Sequence, residues 1–175
     1  MRRFGVALVV GLIVLGGCSA AASTPSPSPS PSPMASPSPS GGQRTLINGT
    51  VTCDVTSFDE QNVGGKDVLV EHFSCQNVTS DPRLDGSMEA DFTTTFEPDG
   101  ASAGRWEGPQ TITNAGGTWH GQGHGAVVVA ADGTPTNYGV TIYEGAGGYA
   151  GLVYHEFVAG GDASADVTGW IEPTR

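Results

Sequence analysis

Ser87-Met88-Glu89-Ala90-Asp91-Phe92-Thr93-Thr94-Thr95-Phe96-Glu97-Pro98-Asp99-Gly100 is the stretch that decides the fold. Successive side chains of an extended chain point to opposite faces, so Met88, Ala90, Phe92, Thr94 and Phe96 share one side and Ser87, Glu89, Asp91, Thr93, Thr95 and Glu97 the other. The first face suits a core and the second suits water, which is the signature of a half-buried β-strand. At its end stands Pro98-Asp99-Gly100, where proline presets the first turn angle and glycine accepts a positive φ.

Working outward, turn signals recur at Asn114 to Gly117, Asp132-Gly133, Gly145 to Gly148 and Gly160-Gly161, and no helical periodicity intervenes. The pattern predicts eight strands near 46–54, 67–75, 86–97, 103–113, 117–130, 136–144, 149–158 and 165–172, joined mostly by hairpin-length turns. Residues 43–175 are the size of one domain with one core. An antiparallel up-and-down meander of eight strands closes most naturally into a barrel, which removes the exposed edges that a flat sheet would leave. The expected fold is therefore all-β, an eight-stranded barrel.

Ahead of it lies a different kind of sequence. Arg2 and Arg3 form a positive end, Phe4 to Leu15 an apolar run, and Gly16-Gly17 the small residues that a signal peptidase requires. Twelve apolar residues are too few for a permanent span, which takes about 20. Leu15-Gly16-Gly17-Cys18 resembles the lipobox of bacterial lipoproteins, which implies cleavage ahead of Cys18 and lipidation of its thiol. Residues 1–17 are then the signal peptide. Residues 18–42 form a lipid-anchored linker in which seven of the twelve prolines alternate with serine. Such composition buries no apolar surface and favours a disordered, extended stalk of polyproline II type at about 3.1 Å per residue, roughly 50 Å in all. The expected location is the extracytoplasmic side of the cell membrane, held through lipid on Cys18.

Cysteine arithmetic agrees. Of three cysteines, assigning Cys18 to lipid leaves Cys53 and Cys75, an even pair in an oxidising compartment. A bridge between them is expected, worth roughly 3 kcal/mol through unfolded-state entropy. Two reduced cysteines packed as small hydrophobes are the alternative.

Loss of residues 1–17 leaves five basic residues against eighteen acidic ones, a net charge of −13. Nucleic acid is excluded as a partner, because that affinity rests on Lys and Arg neutralising phosphates. Surface acidity of this size keeps an exported domain soluble.

Ser80-Asp81-Pro82-Arg83 ahead of Gly86, Gly104-Arg105-Trp106-Glu107-Gly108, Gly117-Thr118-Trp119-His120-Gly121 and Gly148-Tyr149-Ala150-Gly151-Leu152 together resemble bacterial exported proteins similar to the allene oxide cyclase and dirigent β-barrels. The likeness covers most of residues 45–172 and implies the barrel. It carries no catalytic residue onto this chain, since its motifs are glycines beside aromatics at strand ends and corners.

No constellation of catalytic or metal-binding spacing assembles from the residues alone. His120 and His124 lie about 13 Å apart along a strand, too far to share an ion, and no cofactor or metal is expected. His155 and Glu156, adjacent on a strand, face opposite ways and form no acid/base pair. Asp81-Pro82-Arg83 makes a turn in which Arg83 pairs with Asp81 or Asp85. The candidate lumen or ligand residues are the aromatics Trp106, Trp119, Tyr138 and Tyr154, with Tyr149 and Trp170 as further members, and they either line a lumen or fill it. Glu107 and His155 are the polar lumen candidates.

Two functional classes follow. In the first, the domain is a membrane-anchored binding or structural module that holds a small apolar ligand or an envelope protein. In the second, it is a cyclase- or isomerase-type enzyme acting on a small apolar substrate in the lumen. Two or more buried carboxylates in an open lumen favour the enzyme, and a packed apolar lumen the module.

Overall fold

The structure is a computed structural model that describes residues 43–97 and 102–174. Cys18, the Pro/Ser stretch and the Pro98-Asp99-Gly100 turn lie outside the described residues. Eight strands follow in chain order: β1 (Thr45–Val63), β2 (Lys66–Thr79), β3 (Gly86–Phe96), β4 (Ala103–Asn114), β5 (Gly117–Val129), β6 (Pro135–Gly147), β7 (Leu152–Gly160) and β8 (Ser164–Pro173). Each pairs antiparallel with its chain neighbours, and β8 returns to β1, so the sheet closes into a barrel with the order of the sequence. The meander expected from the turn signals is the one observed.

Alternation drives the closure. In β3, Met88, Ala90 and Thr94 are buried while Ser87, Glu89, Asp91 and Thr93 are exposed, as the opening stretch predicts. The same parity sends Ile47 and Val51 of β1, Phe73 and Cys75 of β2, Trp106 and Ile112 of β4, and Val167 and Ile171 of β8 into one core.

β5 reaches the same end by omission. Its inward positions Gly121, Gly123 and Gly125 carry no side chain, so neighbours lie across them. A Cβ on Gly121 would meet the Tyr143 ring, one on Gly123 the Gln110 amide, and one on Gly125 the Trp106 ring at 2.6 Å. These glycines make floor space for large residues on β4 and β6.

Several strand bounds depart from expectation, β2 running on to Thr79 and β6 to Gly147, and two of the departures have a clear physical reason. β1 runs on to Val63 instead of ending near residue 54, because its upper half pairs with β2 alone and is exposed on both faces. Without a buried side there is no hydrophobic alternation to mark it. β7 begins at Leu152, and Tyr149-Ala150-Gly151 forms the preceding turn with Gly151 at φ 84°. Cys53 and Cys75 face each other across β1 and β2 and are joined by a disulfide. It sits where β1 parts from β8, since pairing of those two strands ends at Thr52 and the Cys53 amide turns to the carbonyl of Ala163 in the β7–β8 connection.

Candidate functional site

One end of the barrel is sealed. The Asp81-Pro82-Arg83 turn between β2 and β3 folds over it: the Arg83 amide donates to Asp81 Oδ1 at 3.0 Å, Arg83 Nε to the same oxygen at 2.9 Å and Nη2 to Oδ2 at 2.6 Å. Burial opposes charge on Asp81, but these bonds from Arg83 hold its carboxyl below the ordinary range. The Arg83 carbonyl in turn accepts from Trp119 Nε1 at 2.9 Å and Asn114 Nδ2 at 3.0 Å, and Tyr149 Oη donates to Asn114 Oδ1 at 2.5 Å. Trp119 stacks on Tyr149 with centroids 5.1 Å apart, and Leu84 is fully buried beside them in the same core. Three of the glycine- and aromatic-rich stretches quoted above, at 80–83, 117–121 and 148–152, converge here as a plug, while Trp106 of 104–108 borders the cavity, and Arg83 pairs with Asp81 as the turn reading expects.

Above the plug the lumen is open. A cavity of about 90 Å³ is lined by apolar side chains, among them Val51, Phe73, Met88, Phe92, Trp106 and Val158, and by the polar Glu71, Asn77, Gln110, Asn137, Glu156 and Asp162. Asp162, exposed in the β7–β8 turn, marks where the cavity reaches solvent.

The polar groups come from separate strands and meet because each has inward parity. Tyr143 Oη on β6 donates to Gln110 Oε1 on β4 at 2.8 Å and lies 3.3 Å from Glu156 Oε1 on β7, while Gln110 Nε2 donates to Thr141 Oγ1 at 2.8 Å. Glu156 is 5% exposed, and burial pushes its carboxyl up to about 7, with the hydroxyls of Tyr154 and Tyr143 holding it back. The Tyr154 hydroxyl is near enough to exert that influence, yet its geometry closes no hydrogen bond. Burial raises both phenols well above their ordinary value, so they remain neutral donors. Glu71, half-buried, is raised by burial and by the neighbouring Asp162, against a long contact from Thr94 at 3.5 Å.

Five buried side-chain polar atoms among the described residues make no hydrogen bond: Asn77 Oδ1, Trp106 Nε1 and the Tyr154 hydroxyl inside the barrel, and His155 Nε2 and Trp170 Nε1 on its outer side. Buried polar atoms are paired in the great majority of cases, because an unpaired one forfeits its bonds to water. Asn77 and Trp106 line the cavity itself.

Of the lumen candidates, Trp106, Trp119 and Tyr154 are inside. Trp106 borders the cavity; Trp119 and Tyr154 fill the lumen below it, Tyr154 stacked on Tyr143 at 5.5 Å. Tyr138 is corrected: it is 53% exposed, on the outer face of β6, because the inward parity of that strand belongs to Gly139, Thr141 and Tyr143. Trp170 is corrected likewise, standing outside on β8 and stacked on His155 at 4.6 Å. Glu107 and His155 are not lumen residues. Glu107 is exposed beside the inward Trp106, and His155 faces outward within 3.3 Å of Glu172.

Glu156 and Tyr143 are the residues that reading by type missed. Parity gives them: once Tyr154 is inward, Glu156 two positions on must be inward too.

His120 and His124 are both exposed on β5, and among the described residues no three His, Cys, Asp or Glu side chains gather as a metal site. His72 sits between Asp91 Oδ1 at 2.7 Å and Glu89 Oε2 at 3.2 Å on the outer face, which raises its pKa chiefly through the bond to Asp91. No family model matches the chain, and no curated protein matches it.

Proposed function

We propose that this protein binds a small ligand in the lumen of its barrel, and that lipid on Cys18 with the Pro/Ser stalk holds that barrel at the outer side of the cell membrane. One observation carries the binding reading: a one-ended cavity, apolar on most of its wall, contains a buried acceptor on Asn77 and a buried donor on Trp106 with no partners of their own. Ligand sites combine an apolar lining with a few placed polar groups in this way. An unpaired buried polar atom costs about 1 to 3 kcal/mol, so a ligand that supplies partners to these two recovers part of that cost.

The test uses the full exported chain and n-hexanol as a neutral probe. Titration is expected to shift the indole N–H resonance of Trp106 saturably. Val158→Trp, which fills the cavity from β7, is expected to abolish that shift while the thermal midpoint stays near that of the parent. A silent Trp106 in the parent, or an undiminished shift in the variant, counts against binding in the lumen.

The anchor has its own expected result. Mass spectrometry of the membrane fraction should find Cys18 at the amino terminus and diacylated; a soluble mature form beginning elsewhere would remove the anchor from the proposal.

A second reading is favoured by Glu156 alone. A buried carboxyl held near neutrality beside two phenols is suited to general acid/base work on a bound substrate. Turnover of a lumen-bound compound that disappears in Glu156→Gln would promote the cyclase- or isomerase-type enzyme over the binding module.

A further inference from the structure

We infer that the ligand of the lumen is a small organic cation, an amine whose charged head sits among Glu156, Glu71 and Asp162 and whose apolar body lies against the aromatic wall. The inference rests on the lumen-binding reading and specifies the chemistry of what is bound. Three carboxyl groups line one cavity, contributed by β7, by β2 and by the β7–β8 turn, and no Lys, Arg or His side chain lines it among the described residues. A fatty acid or other anion entering there would meet three carboxyl groups and no cationic side chain among the described residues, with only neutral donors such as the Trp106 indole N–H to receive it.

The acidic lining does not stand alone. Asn77, 1% exposed, lines the same cavity with an Oδ1 that accepts no hydrogen bond, so it too calls for a donor. The walls fit the same ligand. Phe73, Phe92 and Trp106 pack in series, with centroids 5.6 and 4.8 Å apart, and present aromatic rings to the cavity. A cation against an aromatic face gains about 0.5 to 2 kcal/mol, more where water is excluded. The cavity, at about 90 Å³, holds a head and a short alkyl segment and leaves the rest of the molecule to pass the mouth at Asp162. Asp162 already raises the cost of ionising Glu71, and a positive head between lumen and mouth relieves that repulsion.

Glu156 makes the same demand from deeper in the barrel. Its charged form is disfavoured by burial, and the groups facing it, Tyr143 from β6 and Tyr154 from its own strand, are neutral donors that supply no positive charge. Among the described lining residues a counter-ion is lacking, and an ammonium group supplies one.

Three probes with one alkyl chain separate this inference from the reading beneath it. n-Hexylammonium, n-hexanol and n-hexanoate are titrated into the full exported chain at a pH of about 8, with the Trp106 indole N–H as reporter. The expected result is binding of hexylammonium roughly tenfold tighter than hexanol, a difference of about 1.4 kcal/mol, with hexanoate weakest. Glu156→Gln and, at the mouth, Glu71→Gln should each reduce the ratio of hexylammonium to hexanol affinity severalfold. Equal affinity for amine and alcohol, or tighter binding of hexanoate, overturns the cation and leaves lumen binding standing. Silence with all three probes overturns both. A preference that survives both glutamine variants overturns the assignment of the head to these carboxyl groups.

Discussion

Trp119→Ala is expected to lower the stability of the barrel by about 3 to 5 kcal/mol, the range for deleting a large aromatic from a core that cannot collapse into the space. Trp119 is fully buried, stacked on Tyr149 and edge-on to Tyr154 at 6.3 Å, and its indole N–H is one of two donors to the Arg83 carbonyl. Truncation therefore removes the ring that joins the closing turn to the lumen filling. A domain of this size has about 5 to 15 kcal/mol to lose, so the variant forfeits a large share. Urea unfolding should show a lower midpoint with an unchanged slope, because the folded and unfolded surfaces are little altered. Trp119→Phe keeps most of the packing and loses the hydrogen bond, and about 1 to 2 kcal/mol is its expected cost. A midpoint for Trp119→Ala within about 1 kcal/mol of the parent would mean that the sealed end is not a rigid plug.

The barrel was legible in the sequence because its two determinants are local. Alternation such as Met88 to Phe96 is written residue by residue, and glycine turns such as Asn114 to Gly117 and Gly160-Gly161 set strand order without long-range information. Where alternation lapses, legibility lapses with it. The upper half of β1, exposed on both faces, has no pattern to read and was expected to end some nine residues early.

The candidate site was less legible, for a different reason. Choosing residues by type favours aromatics and histidines wherever they stand, whereas the lumen admits residues by parity. Tyr138 and Tyr143 are five apart on one strand, so at most one can face inward, and the glycine at 139 belongs to the inward set with Tyr143. Tyr154 inside requires Glu156 inside, and Trp106 inside requires Glu107 outside. The glycines of β5 hid a further signal. Gly121, Gly123 and Gly125 look like weak strand residues, but their inward parity means that large side chains from β4 and β6 must cover them. What no local pattern carries is the meeting of Gln110, Tyr143 and Glu156, which depends on the register of three strands at once.

Glu156→Gln is expected to stabilise the protein by roughly 3 kcal/mol above a pH of about 7 and to change it little below a pH of about 4.5. Burial raises the Glu156 carboxyl from its ordinary 4.5 to about 7 in the folded barrel. Between those values the folded chain holds a proton that the unfolded chain has released, so stability falls as pH rises through the interval. The slope is about 1.4 kcal/mol per pH unit, and it ends once the folded carboxyl also ionises. Glutamine keeps the size and an acceptor for Tyr143 but carries no charge to bury, which removes the decline. His72 on the outer face, raised by Asp91, contributes a fall of the same sign as pH rises through its own folded pKa, so the difference between parent and variant is the informative quantity. Denaturation midpoints across that range should converge at the acid end and separate toward the alkaline end. Parallel curves would show that Glu156 is not titrating as a buried group. The parent should also recover part of the deficit at alkaline pH when hexylammonium is added, because a cation beside Glu156 returns its pKa toward the ordinary value, and Glu156→Gln should gain less from the same addition.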